Sequence, residues 1–270
     1  MNIRVSTHTS YMFIDGASLD GALKAATDRY STKSPFALDY AAFAAEQTKV
    51  FYYDAIPSFE DQDRTPAQTA LAEQKIQKLE SIRKLDKYHV FEGDTRRRRS
   101  KGGQEQKMVD VAIAVDMLTH TFRRNMDSAI LVTGDQDFKP LLDALVREGM
   151  FVTLWYPIGA TNQILIDAAD AKLPLTTDLL YNCSTFEFRN KTPFPSHYRD
   201  YSRPVGKQIA HWDNADHGHV SLWIDGQLYW LHADPVRDKP IRIESESLDM
   251  LKLYAQDVFG IDVPELPGQP

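Results

Sequence analysis

The stretch Ile130-Leu131-Val132-Thr133-Gly134-Asp135-Gln136-Asp137-Phe138 decides the fold of this chain. An apolar, β-branched run ends at Gly134, two aspartates follow one residue apart, and a helical pattern then begins. This order predicts a buried parallel strand that carries carboxylates at its C-terminal end. Ligands of open α/β sheets bind at that edge, so we expect the functional site there.

Two further stretches place an acid where it can reach the same edge. Met12-Phe13-Ile14-Asp15-Gly16 is another apolar strand that ends in an aspartate, and Lys107-Met108-Val109-Asp110 opens a long apolar helix. The sequence therefore predicts a single acidic cluster, made of Asp15, Asp110, Asp135 and Asp137.

The order of the periodic segments predicts the architecture. Strand and helix patterns alternate through residues 1–180, which is typical of a three-layer α/β/α domain with a mostly parallel sheet. Further on, Asp225-Gly226 separates two runs that alternate aromatic and polar residues, a strong signal for a two-residue hairpin. Ser247 to Phe259 has a helical pattern. Residues 181–270 are therefore predicted to form a small extension of one β-hairpin and one helix.

Composition excludes several classes of protein. The chain has 270 residues, of which 43% are hydrophobic, but no apolar run approaches the roughly 20 residues that cross a bilayer. The single cysteine, Cys183, excludes an intramolecular disulfide, and no secretory leader is visible, so we expect a cytoplasmic protein. The net charge of −7 shows that the chain as a whole is not a basic nucleic-acid binder. A phosphate-binding loop of the Walker type is absent, which argues against an NTPase.

Each aspartate of the cluster has a structural explanation when it is taken alone. Asp135 or Asp137 can cap the following helix, Asp15 can fix a turn, and Asp110 can complement the positive end of its helix. Taken together they repel, because two carboxylates about 4 Å apart cost roughly 4 kcal/mol at an effective dielectric near 20. A cation relieves that repulsion, and ligands that are all oxygen suit Mg²⁺ or Mn²⁺. Such an ion activates water and stabilises a phosphate, which points to hydrolysis of a phosphodiester.

Three motifs resemble one known family. Phe13 to Leu19, Lys107 to Met117, and Ile130 to Leu141 are similar to the motifs of the NYN domain, a branch of the PIN-like nuclease superfamily, and the likeness spans residues 10–178. The resemblance implies a PIN-like sheet, a metal-dependent ribonuclease, and a site formed by the four aspartates. The family often has Asn where this chain has Ser18. A serine can still bond a carboxylate or a water, and we count it among the substrate-binding residues.

The four acids are expected to have different roles. Asp15 and Asp135 should bind the metal directly because both lie at strand ends. Asp110 should share the ion or orient the attacking water, and Asp137 should bind a second ion or act through water. Asp116 lies about 600° around the helix from Asp110, so we expect it to be exposed or in a salt bridge.

Two other candidates are expected to be structural. Asp170 resembles a further acid of the family, although capping or packing is the preferred interpretation. The His- and Asp-rich segment His211 to His219 could bind zinc, but a polar turn that leads into a strand explains it better.

A basic segment lies just before the helix of Asp110. Gly93 to Gly103 has no apolar period and ends in two glycines, which predicts a mobile loop. Such charge runs are commonly no more than solvated surface, but a basic loop beside an acidic site can hold the phosphates that the acids repel. We therefore predict that the substrate is bound by Arg96, Arg97, Arg98, Arg99, Lys101 and Lys107.

The sequence favours a cytoplasmic, Mg²⁺- or Mn²⁺-dependent ribonuclease that acts on single-stranded RNA, and it leaves endonucleolytic and exonucleolytic cleavage open. The alternative is a catalytically weak NYN module that binds RNA or protein. A small-molecule phosphatase is less consistent, because Lys139 stands where haloacid-dehalogenase-like enzymes have a threonine. The C-terminal extension either packs on the sheet or is an interface for a second copy or a protein partner.

Overall fold

The computed structural model describes residues 8–56, 65–97, 104–106, 108–202, 204–235 and 237–265, and for residues 94–97 and 104–106 it describes the backbone. The contacts between residues divide the chain into two compact units. The first contains the residues up to Ala25 and Asp39–Leu175, and the second contains Ala26–Leu38 and the residues from Thr176 onward. The division at Leu175 lies close to the predicted boundary at residue 180, and the segment Ala26–Leu38 groups with the C-terminal residues.

The first unit is built on a mostly parallel sheet, as predicted. Its strands are β1 (Ser10–Asp15), β2 (Lys49–Ile56), β3 (Tyr88–Arg97), β4 (Gln104–Gln106), β5 (Ser128–Val132), β6 (Phe151–Pro157) and β7 (Ala171–Leu175). Within the described residues they lie in the order β4-β3-β2-β1-β5-β6-β7, and only β4 runs antiparallel to its neighbour. The carboxyl ends of β1, β2, β3 and β5 therefore lie at the same edge.

Helices cover both faces of this sheet. They are α1 (Gly16–Arg29), α2 (Tyr40–Phe43), α3 (Pro66–Arg83), α4 (Val109–Phe122), α5 (Lys139–Arg147) and α6 (Gln163–Ile166), with a 3₁₀ turn at Gln136–Phe138. The start of α3 shows why the chain turns helical there. Thr65 and Gln68 form a reciprocal capping box, and Pro66 occupies the first turn, where its missing N–H costs nothing.

The period-2 pattern of the strands separates the two faces. Phe13, Tyr53 and Leu131 pack in one core with Ile113 and Met117 of α4. The neighbouring residues point the other way, and there the Lys78 ammonium of α3 lies 5.5 Å from the centre of the Tyr52 ring. Tyr52, Tyr53 and Phe138 are buried and belong to the core, so their rings do not form an exposed surface for stacking on bases.

Three apolar residues of the helices are exposed, although their helical spacing is typical of core residues. Val115 of α4 is 54% exposed, and Leu71 and Ile76 of α3 are 55% and 37% exposed. In each case the helix has more apolar positions than the sheet can cover, since Ile113 and Met117, or Leu79 and Ile82, already face it. Apolar residues at helical spacing therefore predict where the helices lie, but they do not show which face of each helix is buried.

The predicted mobile loop is partly a strand. Gly93 to Arg97 continue β3, and Thr95, Arg96 and Arg97 pair with Gln106, Glu105 and Gln104 of β4. A short antiparallel ladder needs only backbone hydrogen bonds, so the absence of an apolar period did not reveal it. Arg98, Arg99, Lys101 and Lys107 lie outside the described residues.

The second unit contains an antiparallel sheet and helices. Its strands are β8 (Ser196–Arg199), β9 (Lys207–Asn214), β10 (Gly218–Asp225), β11 (Leu228–Asp234) and β12 (Ile241–Ser245), and its helices are α7 (Thr177–Asn182), α8 (Phe186–Lys191) and α9 (Leu248–Phe259). The described strands lie in the order β8-β12-β11-β10-β9. The predicted hairpin at Asp225-Gly226 is confirmed as β10 and β11, with Gly226 at φ +62°. The sheet is larger than the predicted hairpin.

One face of this second sheet is buried. Val220, Leu231 and Ile243 from three strands pack with Leu251 and Tyr254 of α9. The prediction missed β8, β9 and β12 because prolines and the mixed His and Asp residues interrupt the alternation. None of the described helices is long and apolar enough to cross a membrane.

Candidate acidic active site

Asp15 is the buried anchor of the predicted site. It ends β1, is 5% exposed, and accepts hydrogen bonds from four donors. The backbone N–H groups of Ala17 and Ser18 reach its Oδ1 at 3.1 and 3.3 Å, so the carboxylate holds the first turn of α1. The hydroxyls of Ser18 and Thr133 donate to its Oδ2 at 2.6 and 2.9 Å. These bonds fix one orientation of the carboxylate at the strand end.

Two hydroxyls tie β1 to β5 at this edge. Thr133 is fully buried, and its Oγ1 also accepts the backbone N–H of Asp135 at 3.1 Å. Ser18 Oγ accepts the backbone N–H of Gly134 at 3.1 Å. The predictions gave Thr133 no role, although a polar residue at the end of an apolar strand was the available signal. Ser18 belongs to the same network, and its substrate-binding role stays a prediction.

Asp135 and Asp137 are exposed beside this network. Asp135 Oδ1 accepts the backbone N–H of Asp137 at 2.9 Å, so the capping interpretation holds for Asp135, which caps a 3₁₀ turn. Gly134 permits the approach of the loop after β6, because a Cβ there would lie 3.0 Å from Thr161 Oγ1. The turn that presents the two acids is therefore packed tightly on its inner side.

Asp110 completes the cluster from the first turn of α4. It is half-buried, and its pKa is raised to about 6. Desolvation is the largest cause, followed by the negative charges of Asp15, Asp135 and Asp137. The four acids that the sequence predicted to converge are therefore close enough to interact electrostatically.

The donor set fits a hard divalent cation. Its atoms are carboxylate and hydroxyl oxygens, which Mg²⁺ and Mn²⁺ prefer. Within the described residues, no group of three or more His, Cys, Asp and Glu side chains is close enough to hold an ion as placed. An ion bound by three of these acids would thus have to draw the carboxylates closer together.

The family comparison decides what kind of domain carries these acids. The family model of the NYN domain matches residues 10–176. The chain belongs to the NYN domain family. This membership suggests a nuclease of the PIN-like superfamily, whose domains typically use divalent metals.

A crystal structure of a protein of unknown function from Vibrio parahaemolyticus is similar to this chain, with 22% sequence identity and a TM-score of 0.45. The similarity covers 64% of this chain and 96% of the Vibrio chain. No curated protein matches this chain.

Two other acids of the NYN domain have structural partners. Asp116 is half-buried rather than exposed, and it accepts the Tyr53 hydroxyl at 2.7 Å. Among the described residues, no basic side chain forms the alternative salt bridge with it. Asp170 accepts the Val152 N–H at 2.8 Å near the amino end of β6, at the edge of the sheet opposite the acidic cluster. The packing interpretation of Asp170 is therefore confirmed.

A second charged cluster at the same edge was not predicted. Asp54 of β2 is 2% exposed, and its Oδ2 lies 2.5 Å from the Lys75 ammonium of α3. Lys75 also binds Asp20 at 2.9 Å, and Lys78 pairs with Asp20 as well. Desolvation raises the pKa of Asp54, and the charge of Lys75 opposes that rise. The available signal was a lone acid in an otherwise apolar strand.

The remaining predicted residues contribute less to the described site. Arg96 and Arg97 extend β3 beyond the sheet edge, and their side chains lie outside the description. His211 to His219 forms the end of β9, a turn and the start of β10, where His219 Nδ1 lies 3.2 Å from Asp213. Among the described residues of this segment, no three His, Cys, Asp or Glu side chains lie close enough together to hold a metal ion. A strand, a turn and a strand account for the segment.

Proposed function

We propose that this NYN domain is a metal-dependent ribonuclease that hydrolyses phosphodiester bonds in single-stranded RNA at Asp15, Asp110, Asp135 and Asp137. The observation that carries the proposal is the convergence of these acids at the carboxyl edge of the sheet, where burial and then the charges of the other three acids raise the pKa of Asp110. Among the described residues these acids have no basic partner; such a group of acids favours a bound cation, and Mg²⁺ or Mn²⁺ suits their oxygen ligands.

Each acid has a role that follows from its surroundings. Asp15 would hold the ion in a fixed place, because four hydrogen bonds already orient its carboxylate. Asp135 and Asp137 are exposed and would reach the ion from the solvent side. A bound cation would activate a water and stabilise charge on a phosphate oxygen. Asp110, whose pKa is about 6, would orient that water and accept its proton near neutral pH.

The substrate class follows from charge and position. The carboxyl end of β3 pairs with β4 and carries Arg96 and Arg97. In the chain, this pair of strands comes directly before the helix of Asp110. Together with Arg98, Arg99, Lys101 and Lys107, these residues would hold phosphates that the acids repel. Contacts to phosphates carry little base information, so we expect weak sequence preference. An extended single strand fits a narrow acidic edge better than a stiff duplex.

A cleavage assay tests this proposal. Labelled single-stranded RNA is incubated with the full chain and Mn²⁺, Mg²⁺ or EDTA, beside Asp15→Asn, Asp135→Asn and the control Asp116→Asn. We expect metal-dependent cleavage that falls at least about 100-fold in the two site variants. Asp116→Asn should remain within a few-fold of the wild type, because an asparagine oxygen can still accept the Tyr53 hydroxyl. A circular RNA separates endonucleolytic from exonucleolytic cleavage.

Two outcomes would reject the nuclease. Cleavage that persists in EDTA and in both site variants would show that neither a metal ion nor these aspartates are needed for it. An absence of cleavage, with RNA binding that survives Asp135→Asn and disappears when Arg96 to Arg99 are replaced, would support the alternative of a binding module.

A further inference from the structure

Ser18 uses both hydrogen-bonding capacities of its hydroxyl inside the protein. The hydroxyl donates to Asp15 Oδ2 at 2.6 Å, and its oxygen accepts the backbone N–H of Gly134 at 3.1 Å. A serine hydroxyl has one proton to donate. While Ser18 keeps these bonds, that proton is not free for a phosphate oxygen of a substrate. The contacts of Ser18 therefore favour a role other than the predicted substrate binding.

A second hydroxyl, that of Thr133, repeats this arrangement beside Ser18. Thr133 Oγ1 donates to the same Asp15 oxygen at 2.9 Å and accepts the backbone N–H of Asp135 at 3.1 Å. Ser18 Oγ and Thr133 Oγ1 are 3.3 Å apart, and because each hydroxyl gives its proton to Asp15, this separation is a contact rather than a further hydrogen bond. Two consecutive N–H groups of the turn after β5 are thus connected through two hydroxyls to one carboxylate oxygen.

Ser18 also holds the other oxygen of Asp15. Its backbone N–H, in the first turn of α1, lies 3.3 Å from Asp15 Oδ1, while its hydroxyl lies 2.6 Å from Oδ2. A carboxylate that one residue binds at both oxygens cannot rotate about the bond to its Cβ without breaking one of these contacts. Ser18 therefore fixes the plane of the Asp15 carboxylate, and through Gly134 it joins that carboxylate to the turn after β5.

Burial strengthens the bonds that converge on Asp15. This residue is 5% exposed, and hydrogen bonds to an ionised group away from water are stronger than those in solvent. Asp135 is exposed, and its position depends on the backbone of the turn that the two hydroxyls hold. The Ser18 hydroxyl thus acts on the orientation of one acid and on the position of another.

We propose that Ser18 is a positioning residue of the acidic site, whose hydroxyl orients Asp15 and ties it to the turn that presents Asp135, and that it does not bind the substrate. The inference rests on the proposed function, because it takes Asp15 and Asp135 as residues that hold the ion. Groups that hydrogen-bond a metal ligand fix its orientation, and their loss typically lowers metal affinity about 10- to 100-fold. Ser18 acts on the ion through Asp15 in this way.

Binding of Mn²⁺ to the full chain without RNA tests this role. Electron paramagnetic resonance of free Mn²⁺ gives the dissociation constant, which Ser18→Ala should raise at least about 10-fold. Ser18→Thr keeps the hydroxyl and should stay within about threefold of the wild type. The matched control is Ser81→Ala, because the Ser81 hydroxyl donates to the backbone carbonyl of Lys78 at 2.7 Å, away from the acids. This control should leave the dissociation constant within about twofold.

Steady-state kinetics separates positioning from substrate binding. At saturating Mn²⁺, Ser18→Ala should lower kcat about 10-fold and leave the KM for single-stranded RNA within about twofold. A raised KM together with an unchanged Mn²⁺ dissociation constant would overturn the inference and support the predicted substrate contact instead.

A melting curve checks that Ser18→Ala is folded. If it is not, Ser18→Cys takes its place with the same expectation, because a thiol is close to a hydroxyl in size but is a weak donor. A variant that is less stable but binds Mn²⁺ as tightly as the wild type also overturns the inference, since Ser18 would then only join α1 to the turn. Failure of the proposed function is distinguishable, because the wild type itself would then bind no Mn²⁺ and both proposals would be rejected.

Discussion

Two groups of acids lie at the carboxyl edge of the same sheet, on opposite faces, and they differ in what balances their charge. Asp54 follows Tyr53, the residue that pairs with Asp15, so Asp54 and Asp15 point to opposite faces. On the Asp54 face, Lys75 and Lys78 neutralise Asp54 and Asp20. We call this group the paired cluster, and we call Asp15, Asp110, Asp135 and Asp137 the unpaired cluster.

The comparison shows how structural and functional acids differ physically. Burial raises the pKa of Asp54, but Lys75 opposes the rise. Burial also raises the pKa of Asp110, and its neighbours reinforce the rise because they are acids. Within the described residues, no basic side chain forms an ion pair with the unpaired cluster. Lysines balance the paired cluster, whereas no basic side chain among the described residues balances the unpaired cluster.

The largest expected effect comes from breaking the paired cluster. Lys75→Met leaves the buried carboxylate of Asp54 without its partner, and we expect unfolding in urea to show a loss of about 3–5 kcal/mol. The control is the double variant Asp54→Asn with Lys75→Met, which removes both charges and should recover most of that loss. Equal losses in the single and double variants would mean that the ion pair does not stabilise α3 against β2.

A smaller effect is expected at Gly16, which lies between the two clusters. A Cβ at Gly16 would lie 2.6 Å from Asp54 Oδ2 and 2.8 Å from the Tyr52 hydroxyl. Gly16→Ala should therefore reduce stability by about 1–3 kcal/mol. Gly21→Ala in the same helix meets nothing within 4 Å, and it should increase stability by up to about 1 kcal/mol. Thermal melts of both variants check the opposite signs, and a stabilised Gly16→Ala would show that the two clusters are not tightly packed there.

The smallest expected effect is the pH dependence of the unpaired cluster. The folded pKa of Asp110 is about 6, above its ordinary value of 3.8, so its ionised form is disfavoured in the fold. This penalty is absent below about pH 4 and complete above about pH 6. Without added metal, Asp110→Asn should be more stable than the wild type by roughly 1 kcal/mol at pH 7.5 after allowance for solvent screening. The two proteins should melt alike below pH 4, and a constant difference at every pH would contradict the electrostatic explanation.

Local patterns were sufficient to predict the parallel sheet and the meeting of four acids. Asp15 and Asp135 follow apolar strands, and the topology of parallel strands brings the carboxyl ends of these strands to one edge. Asp110 reaches the same edge from the first turn of α4. The paired cluster could not be predicted this way. Lys75 and Asp54 are distant in sequence, and a lysine on a helix normally indicates a solvated face. The exposure of Val115 could not be predicted either. Helix α4 has apolar residues on two opposite sides, and the sequence does not show which of these sides packs against the sheet.

Binding of Mn²⁺ in the absence of RNA tests the central claim most directly. The claim is that the unpaired cluster binds a divalent metal ion. Melting curves with and without Mn²⁺ are compared for the wild type, Asp135→Asn, and Asp20→Asn from the paired cluster. Mn²⁺ should raise the melting temperature of the wild type and of Asp20→Asn by several degrees, as expected for a ligand that binds only the folded state. Mn²⁺ should raise the melting temperature of Asp135→Asn by only a small fraction of this shift. An equal shift in Asp135→Asn and the wild type, or no shift in the wild type, would contradict the assignment of these acids as a metal site.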